Sequence, residues 1–340
     1  MLRTLISFLL VFTSLSCTQR DVAPPIFGET MGTHYSEKFG QRLAPPVREN
    51  LQRQIDDDLE SINATMSTWR DDSELSQFNA GESTEWVVVS AATAAVVSKA
   101  MTVSEATGGA FDITAAPLVE LWGFGTELPQ RARPAEQQLQ TVMQQVGWDR
   151  LEVREEPPAL RKMHPQLSVD LSAIAKGYAV DQMAARLSAA GVRDFLVEIG
   201  GELCARGVAP GGEPWVVAVA AADAGPPAAL VRPGYRCVAT SGDYQNFFEL
   251  DGRRFSHVIN PLTGWPVSNE VASVTVVADS AMDADAWATA FMVLGAARAL
   301  DLAEQYGAAV LLLRRTPAGI VKERSSAFVP LEQRVTPAPR

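Results

Sequence analysis

Asp194-Phe195-Leu196-Val197-Glu198-Ile199-Gly200-Gly201-Glu202-Leu203-Cys204-Ala205-Arg206 reads as two strands around a tight turn or bulge. A helix is expected just before it, beginning around Ser172 and stopping at Gly191. A helix followed by a strand that folds straight back on a second strand breaks the βαβ rhythm, and the irregular mixture continues in both directions. Upstream, Pro45-Pro46 opens a helical pattern with Leu51, Ile55, Leu59 and Ile62 at three- and four-residue steps, which predicts one buried face. Ser90 is the expected N-cap of another helix over 91–106, closed by Gly108-Gly109. Downstream, 247–250 and 254–258 are two short strands joined through Asp251-Gly252, a dipeptide suited to the positive φ angles of a hairpin turn. A valine-rich strand covers 271–278. A helix from near Asp283 stops at Gly295, another over 296–306 ends at Gly307, and an apolar strand follows over 308–313. The class this predicts is α+β, as one large domain or two intimately joined subdomains. The chain shows no internal repeat and no low-complexity block.

The N-terminus reads as an export signal: Arg3, an apolar stretch from Leu5 to Phe12, then small residues leading to Cys17. That stretch is far shorter than the roughly 20 residues a membrane-spanning helix needs. Ser14-Leu15-Ser16-Cys17 looks like a bacterial lipobox, in which the cysteine takes a diacylglycerol thioether and becomes the new N-terminus; an ordinary secretory signal with an incidental cysteine is the plainer alternative. The expected organisation is a signal peptide over 1–16, a lipidated tether over 17–27 carrying Pro24-Pro25, a main domain over 28–327 and a tail over 328–340. Localisation follows as the bacterial cell envelope, facing the periplasm through a lipid anchor, with the non-acidic Thr18 pointing toward the outer membrane. Cys204 and Cys237 remain, and two cysteines in 340 residues do not make a disulfide framework, so buried free thiols are the default expectation although pairing is open to an exported chain.

A net charge of -11 argues against nucleic acid as a partner, and 47% hydrophobic residues are ample for a buried core. There is no G-x-x-x-x-G-K-[ST] loop, no H-E-x-x-H, no G-x-S-x-G elbow and no G-x-G-x-x-G fingerprint, so the common nucleotide folds are not supported. What the chain does offer is oxygen. Asp285 and Thr289 lie four apart in an expected helix, placing a carboxylate and a hydroxyl on one face, half of a site for a hard cation such as Mg²⁺; taken alone, an acidic residue in a first helical turn and a packed threonine explain the pair as well. Asp170 and Lys176 put opposite charges around one helix start, an arrangement for a charged ligand or simply a cap and a solvated lysine. His257 is one of three histidines, with His34 and His164, and suits a general base, an orienting group or an ordinary strand histidine.

Taken together and in order, Met31-Gly32-Thr33, Ser67-Thr68-Trp69, Gly109-Ala110-Phe111-Asp112-Ile113-Thr114, Val169 through Tyr178, Thr240-Ser241-Gly242-Asp243-Tyr244, Ser256-His257-Val258-Ile259-Asn260-Pro261 and Asp285 through Thr289 resemble the ApbE family, over roughly residues 28–327. The resemblance implies an ApbE-like mixed fold and transfer of FMN from FAD to a threonine of an acceptor protein, forming a phosphoester and releasing AMP. It also implies Mg²⁺ held by Asp285, Thr289 and the carbonyl of Ala173, with Ala288 a further ligand position in some members. Met31, Trp69, Ala110, Phe111, Asp112, Asp170, Lys176 and Ile259 fall on flavin-contact positions, and His257 near the reaction centre. The expected partners are exported flavoproteins such as subunits of membrane redox pumps. Trp69 departs from the family, which often has tyrosine there in transferases and asparagine in members that hydrolyse FAD. It keeps the aromatic face without the phenolic hydroxyl. FAD pyrophosphatase activity giving FMN and AMP is therefore the rival enzyme reading, a non-catalytic flavin-binding lipoprotein a rival of another class, and a generic exported solute-binding protein a third.

Overall fold

The computed structural model describes residues 22–125, 133–222, 225–243, 247–250, 253–268 and 270–333. The expected signal sequence, Cys17 and the expected turn at Asp251-Gly252 lie outside the described residues, as does the end of the chain from 334. No described helix is long and apolar enough to cross a membrane.

Eight strands form the main sheet, and their order in space is their order in the chain: Ile26–Thr30, Thr33–Phe39, Phe195–Ile199, Glu202–Arg206, Cys237–Gly242, Val271–Ala278, Ala309–Thr316 and Gly319–Arg324. Every neighbouring pair is antiparallel. The α+β class is therefore realised as a meander into which helices are inserted. Eight helices are described: α1 Pro45–Met66, α2 Glu74–Ala80, α3 Ala91–Thr107, α4 Ala116–Leu121, α5 Glu136–Met143, α6 Ala175–Ala189, α7 Ala281–Leu294 and α8 Ala296–Tyr306. The first six fall between the second and third strands, the last two between the sixth and seventh. On one face of the sheet, α6 packs on Phe195–Ile199 and Glu202–Arg206, while α7 packs on Cys237–Gly242 and Val271–Ala278. Leu203, Val238, Val277 and Leu311 point to the other face, where Val231, Phe328 and Leu331 cover them. With both faces covered, Val271–Ala278 is buried along nearly its whole length, and its sequence accordingly reads as a valine run instead of an alternation.

The local signals explain most element ends. Leu51, Ile55, Leu59 and Ile62 are the buried stripe of α1, each worth roughly 1.5–3 kcal/mol of apolar burial. Ser90 caps α3 by accepting from the Thr93 N–H, and Gly108 ends it in the left-handed region. Gly295, with φ of 76°, is the hinge at which α7 stops and α8 starts in a new direction.

Several expectations shift. The chain is already packed at Ala23, and its first strand begins at Ile26, so any tether ends sooner than residue 27. Phe328 and Leu331 are core residues, so the tail cannot start at 328. The strand expected to run through Val258 stops at Ser256, which leaves His257 in a loop. Free thiols are also overturned: Cys204 and Cys237 face each other in register on adjacent strands and form a disulfide. Their side chains point to the α6 side of the sheet, a cross-strand relation that becomes visible only once the strands are paired.

Glu37, on the second strand, has no exposed surface and neither carboxylate oxygen has a hydrogen-bond partner. Burial, with Asp56 adding repulsion and Arg48 opposing it, pushes its pKa from 4.5 up to about 8. A folded-state pKa raised above the unfolded one contributes stability that is complete below pH 4.5 and is lost as pH rises through about 8. Glu37→Gln should therefore be more stable than the native chain at pH 9, by about 1–3 kcal/mol, with the gap closing toward pH 4.5. Denaturant unfolding across that range checks this; a gap independent of pH would contradict it.

Candidate functional site

The central feature is a junction between α6 and α7. The helix expected from Ser172 begins at Ala175, because 172–174 form a turn fastened by Asp170. The Asp170 carboxylate accepts from the Ser172 N–H at 2.9 Å and from the Ser172 hydroxyl at 2.5 Å, and the Asp170 N–H donates to the Ile113 carbonyl. Across the helix start, Ala175 and Tyr178 bond back four residues, to Leu171 and Ile174. The N–H of Gly177 between them goes instead to Asp285 Oδ2 of α7, at 3.0 Å. The Ala173 carbonyl, which a continuing helix would give to Gly177, is thus left outside the ladder, and Ala173 lines the cleft. Gly177 is required here by space, since a Cβ would stand 2.3 Å from the Ala281 carbonyl oxygen.

Charge concentrates at this junction. Asp285 and Glu202 are both buried, and Lys176 Nζ lies 2.8 Å from Glu202 Oε2 and 3.9 Å from Asp285 Oδ1. Burial raises the Asp285 pKa against the pull of Lys176 and the Gly177 N–H, and burial followed by repulsion from Asp285 pushes Glu202 up to about 7. Burial alone would lower Lys176, but the two carboxylates outweigh it and hold the ammonium above its ordinary value. Two carboxylates face one ammonium, and their repulsion is one cause of the raised Glu202 pKa. Thr289, one turn along α7, shares a 3.0 Å hydrogen bond with the Ser241 hydroxyl. A carboxylate, a freed carbonyl and a hydroxyl are hard donors, and that donor set fits Mg²⁺.

The cleft in front of the junction has a volume of about 1070 Å³. Met31, Trp69, Ala110, Phe111, Asp112, Asp170, Ala173, Lys176, His257, Ile259, Asp285 and Thr289 all line it. Segments spread over more than 250 residues of sequence are thus brought to one place, each by a local device. Met31 and Gly32, with φ of 50° and 70°, form the two-residue turn between the first two strands and present Met31 to the cleft. Asp112 accepts from the Thr114 N–H and hydroxyl and from the Trp148 N–H, and so braces its own loop. Trp69 is 68% exposed and stands at the surface, where its indole face is open to a flat ring. His257 follows the strand Arg253–Ser256 and lies edge-on to Phe124, with centroids 6.4 Å apart. Ala288 is the exception: fully buried in the apolar cluster with Val274 and Phe291, it does not face the cleft. The other two histidines play no part in it: His34 is exposed beside Glu29, and His164 accepts from the Gln166 N–H in a turn.

Sequence reasoning missed Glu202 and Asn79. Glu202 had a signal, an acidic residue opening a strand directly after Gly200-Gly201. Asn79 had none that spacing reveals. Its amide accepts from the Val169 N–H and donates to the Val169 carbonyl, both at 2.8 Å, as one strand would to another. The buried ammonium of Lys162 in turn holds the Asn79 and Gly81 carbonyls, so the residue preceding Asp170 is fixed from behind.

Against known proteins, the model of the ApbE family matches residues 31–312. The FAD:protein FMN transferase of Vibrio cholerae serotype O1 is 42% identical over 305 residues, 89% of this chain and 91% of that protein. The protein of the same name from Haemophilus influenzae is 38% identical over 336 residues, 97% of each. Among solved structures, the flavin transferase ApbE from Vibrio cholerae superposes with a TM-score of 0.84 at 40% identity, covering 91% of this chain and 98% of that one. The apo form of the Pseudomonas stutzeri flavinyl transferase ApbE gives 0.82 at 36% identity, covering 91% and 96%.

Because the atoms that a Cβ on Gly177 would meet are backbone atoms of Ala281 and Met282, Gly177→Ala should force α6 and α7 apart. A stability loss of about 1–3 kcal/mol in denaturant unfolding is expected; an unchanged midpoint would show that the two helix starts are not in tight contact.

Proposed function

The chain belongs to the ApbE family, and we propose that it is an FAD:protein FMN transferase whose reaction depends on Mg²⁺ held at the α6–α7 junction. FMN passes from FAD to a threonine of an acceptor protein: the threonine oxygen forms a bond to the FMN-side phosphorus, the bond from that phosphorus to the bridging oxygen breaks, and AMP leaves. The observation that supports the magnesium requirement is the capture of the Gly177 N–H by Asp285, which releases the Ala173 carbonyl from the helix at a residue that lines the same cleft as Asp285 and Thr289. The chemistry a divalent cation supplies there is neutralisation of pyrophosphate charge and stabilisation of the departing AMP.

The chain's own residues do the rest. Lys176 offers an ammonium held charged by Glu202 and Asp285, suited to a phosphate oxygen. Ala110, Phe111 and Ile259 give the cleft an apolar wall, and Trp69 covers a flat ring from the solvent side. His257 takes the proton of the acceptor hydroxyl. Trp69 also favours a second reaction: with no phenolic hydroxyl at this position, water in place of threonine gives FMN and AMP. The acceptors are exported flavoproteins such as redox-pump subunits, and the enzyme meets them in the cell envelope through a lipid on Cys17, with the outer membrane as its site.

Incubating the mature protein with FAD, Mg²⁺ and an acceptor carrying the target threonine should give covalent flavin, read as in-gel fluorescence. Asp285→Ala should lower that rate about 100-fold or more. AMP and free FMN formed at full rate without acceptor, and no covalent flavin with any acceptor, would replace transfer by hydrolysis. For the anchor, Cys17→Ala should move the protein from the membrane fraction to the soluble envelope fraction; a membrane-bound variant would refute lipidation at this residue.

A further inference from the structure

Beneath the start of α7, outside the cleft, Asp181 of α6 meets the Cys204–Cys237 disulfide. Its carboxylate holds the first turn of α7, with Oδ1 accepting from the Ala281 N–H at 2.7 Å and Oδ2 from the Met282 N–H at 2.9 Å. The same Oδ1 lies 3.6 Å from Cys204 Sγ and 3.8 Å from Cys237 Sγ. The main-chain oxygen of Asp279 lies 3.7 Å from Cys237 Sγ. Two sulfurs and a carboxylate oxygen thus come together, with a carbonyl oxygen beside one of the sulfurs. The two spacings from Asp181 Oδ1 to the sulfurs match the sulfur–oxygen edges of a zinc tetrahedron, about 3.5–3.8 Å for zinc–sulfur bonds near 2.3 Å and zinc–oxygen bonds near 2.1 Å. The sulfur–sulfur edge is closed by the covalent bond and opens only on reduction.

We propose that reduction of this disulfide converts the cluster into a binding site for a thiolate-seeking divalent cation of the zinc class, with Cys204, Cys237 and Asp181 as three donors and the Asp279 carbonyl beside Cys237 as the neighbouring oxygen for the fourth position. A dithiol reductant takes the disulfide to two thiols and is itself oxidised to a disulfide. Binding then converts each thiol to a thiolate, so two protons are released for each cation bound. Softness separates this site from the all-oxygen junction at Asp285, which suits Mg²⁺. Asp181 is partly exposed, while both cysteines are buried, so a cation reaches the sulfurs past the carboxylate. Asp181 also ties the site to α7 and hence to Asp285 one turn further along.

Cobalt(II) is the probe, because its thiolate charge-transfer absorption reports sulfur ligation and is silent for oxygen ligands. The mature chain reduced with a dithiol should keep its near-ultraviolet circular dichroism and show that absorption at one equivalent of cobalt; zinc added afterward should abolish it. The oxidised chain should show none, a control that needs no variant to fold. Cys204→Ser should lose the absorption while still carrying the thiols of Cys237 and, in unlipidated protein, Cys17, and Asp181→Asn should weaken cobalt binding about tenfold or more. Loss of the native fold on reduction, absence of the thiolate band from the folded reduced chain, or a band undiminished in Cys204→Ser would each overturn the site.

Discussion

The hydrogen bond from the Gly177 N–H to the Asp285 carboxylate joins the two helices on which the cleft is built. One end is a main-chain group that would ordinarily serve its own helix, and the other is a buried charge that would be costly if left alone. Their union satisfies both and changes the course of the backbone, because the carbonyl of Ala173 is no longer claimed by the helix. Lys176 is placed beside Asp285 by the same helix start, and Glu202 arrives from the strand Glu202–Arg206 to complete a buried group of two acids and one base. Groups suited to an anion and to a cation thus stand at one helix end.

The meander explains how distant segments reach that point. Antiparallel strands laid down in chain order place the hairpin turn at Met31, the turn at Gly200-Gly201 and the end of the strand at Ser241 at one end of the sheet. Helix α7, which starts after Ala278 at the other end, carries Asp285 and Thr289 to the cleft, and the long insertion between the second and third strands supplies further lining. Within that insertion the Asn79 amide, paired to both main-chain groups of Val169, acts as a short stretch of sheet. It allows a loop, where Asp170 and Ala173 reside, to be as well located as a strand.

Much of this was legible before any fold was known. The stripe of α1, the Ser90 cap, the glycine stops of α3, α7 and α8, and the paired strands around Gly200-Gly201 follow from spacing and turn chemistry, which are local. The cleft residues came from ordered motifs, and all but Ala288 line one space; the Ala288 side chain, adjacent to Thr289 on α7, lies in the apolar layer behind it. The start of α6 was placed three residues early because the competing bonds, from Asp170 and from Asp285 108 positions away, are tertiary. The disulfide was missed for a related reason: Cys204 and Cys237 are separated by 33 residues and become neighbours only through strand register. Asn79 and Lys162 went unremarked, since nothing local signals a buried ammonium gathering carbonyls from a helix end.

The central claim is that one divalent cation is shared by Asp285, Thr289 and the Ala173 carbonyl. The most direct measurement is the anomalous scattering from a crystal of the protein grown with FAD and manganese(II) in place of magnesium. The account predicts one peak at the α6–α7 junction, within coordination distance of those three oxygens and of the dinucleotide's phosphates. A peak bound elsewhere in the cleft, or FAD seated with no metal at the junction, would contradict it.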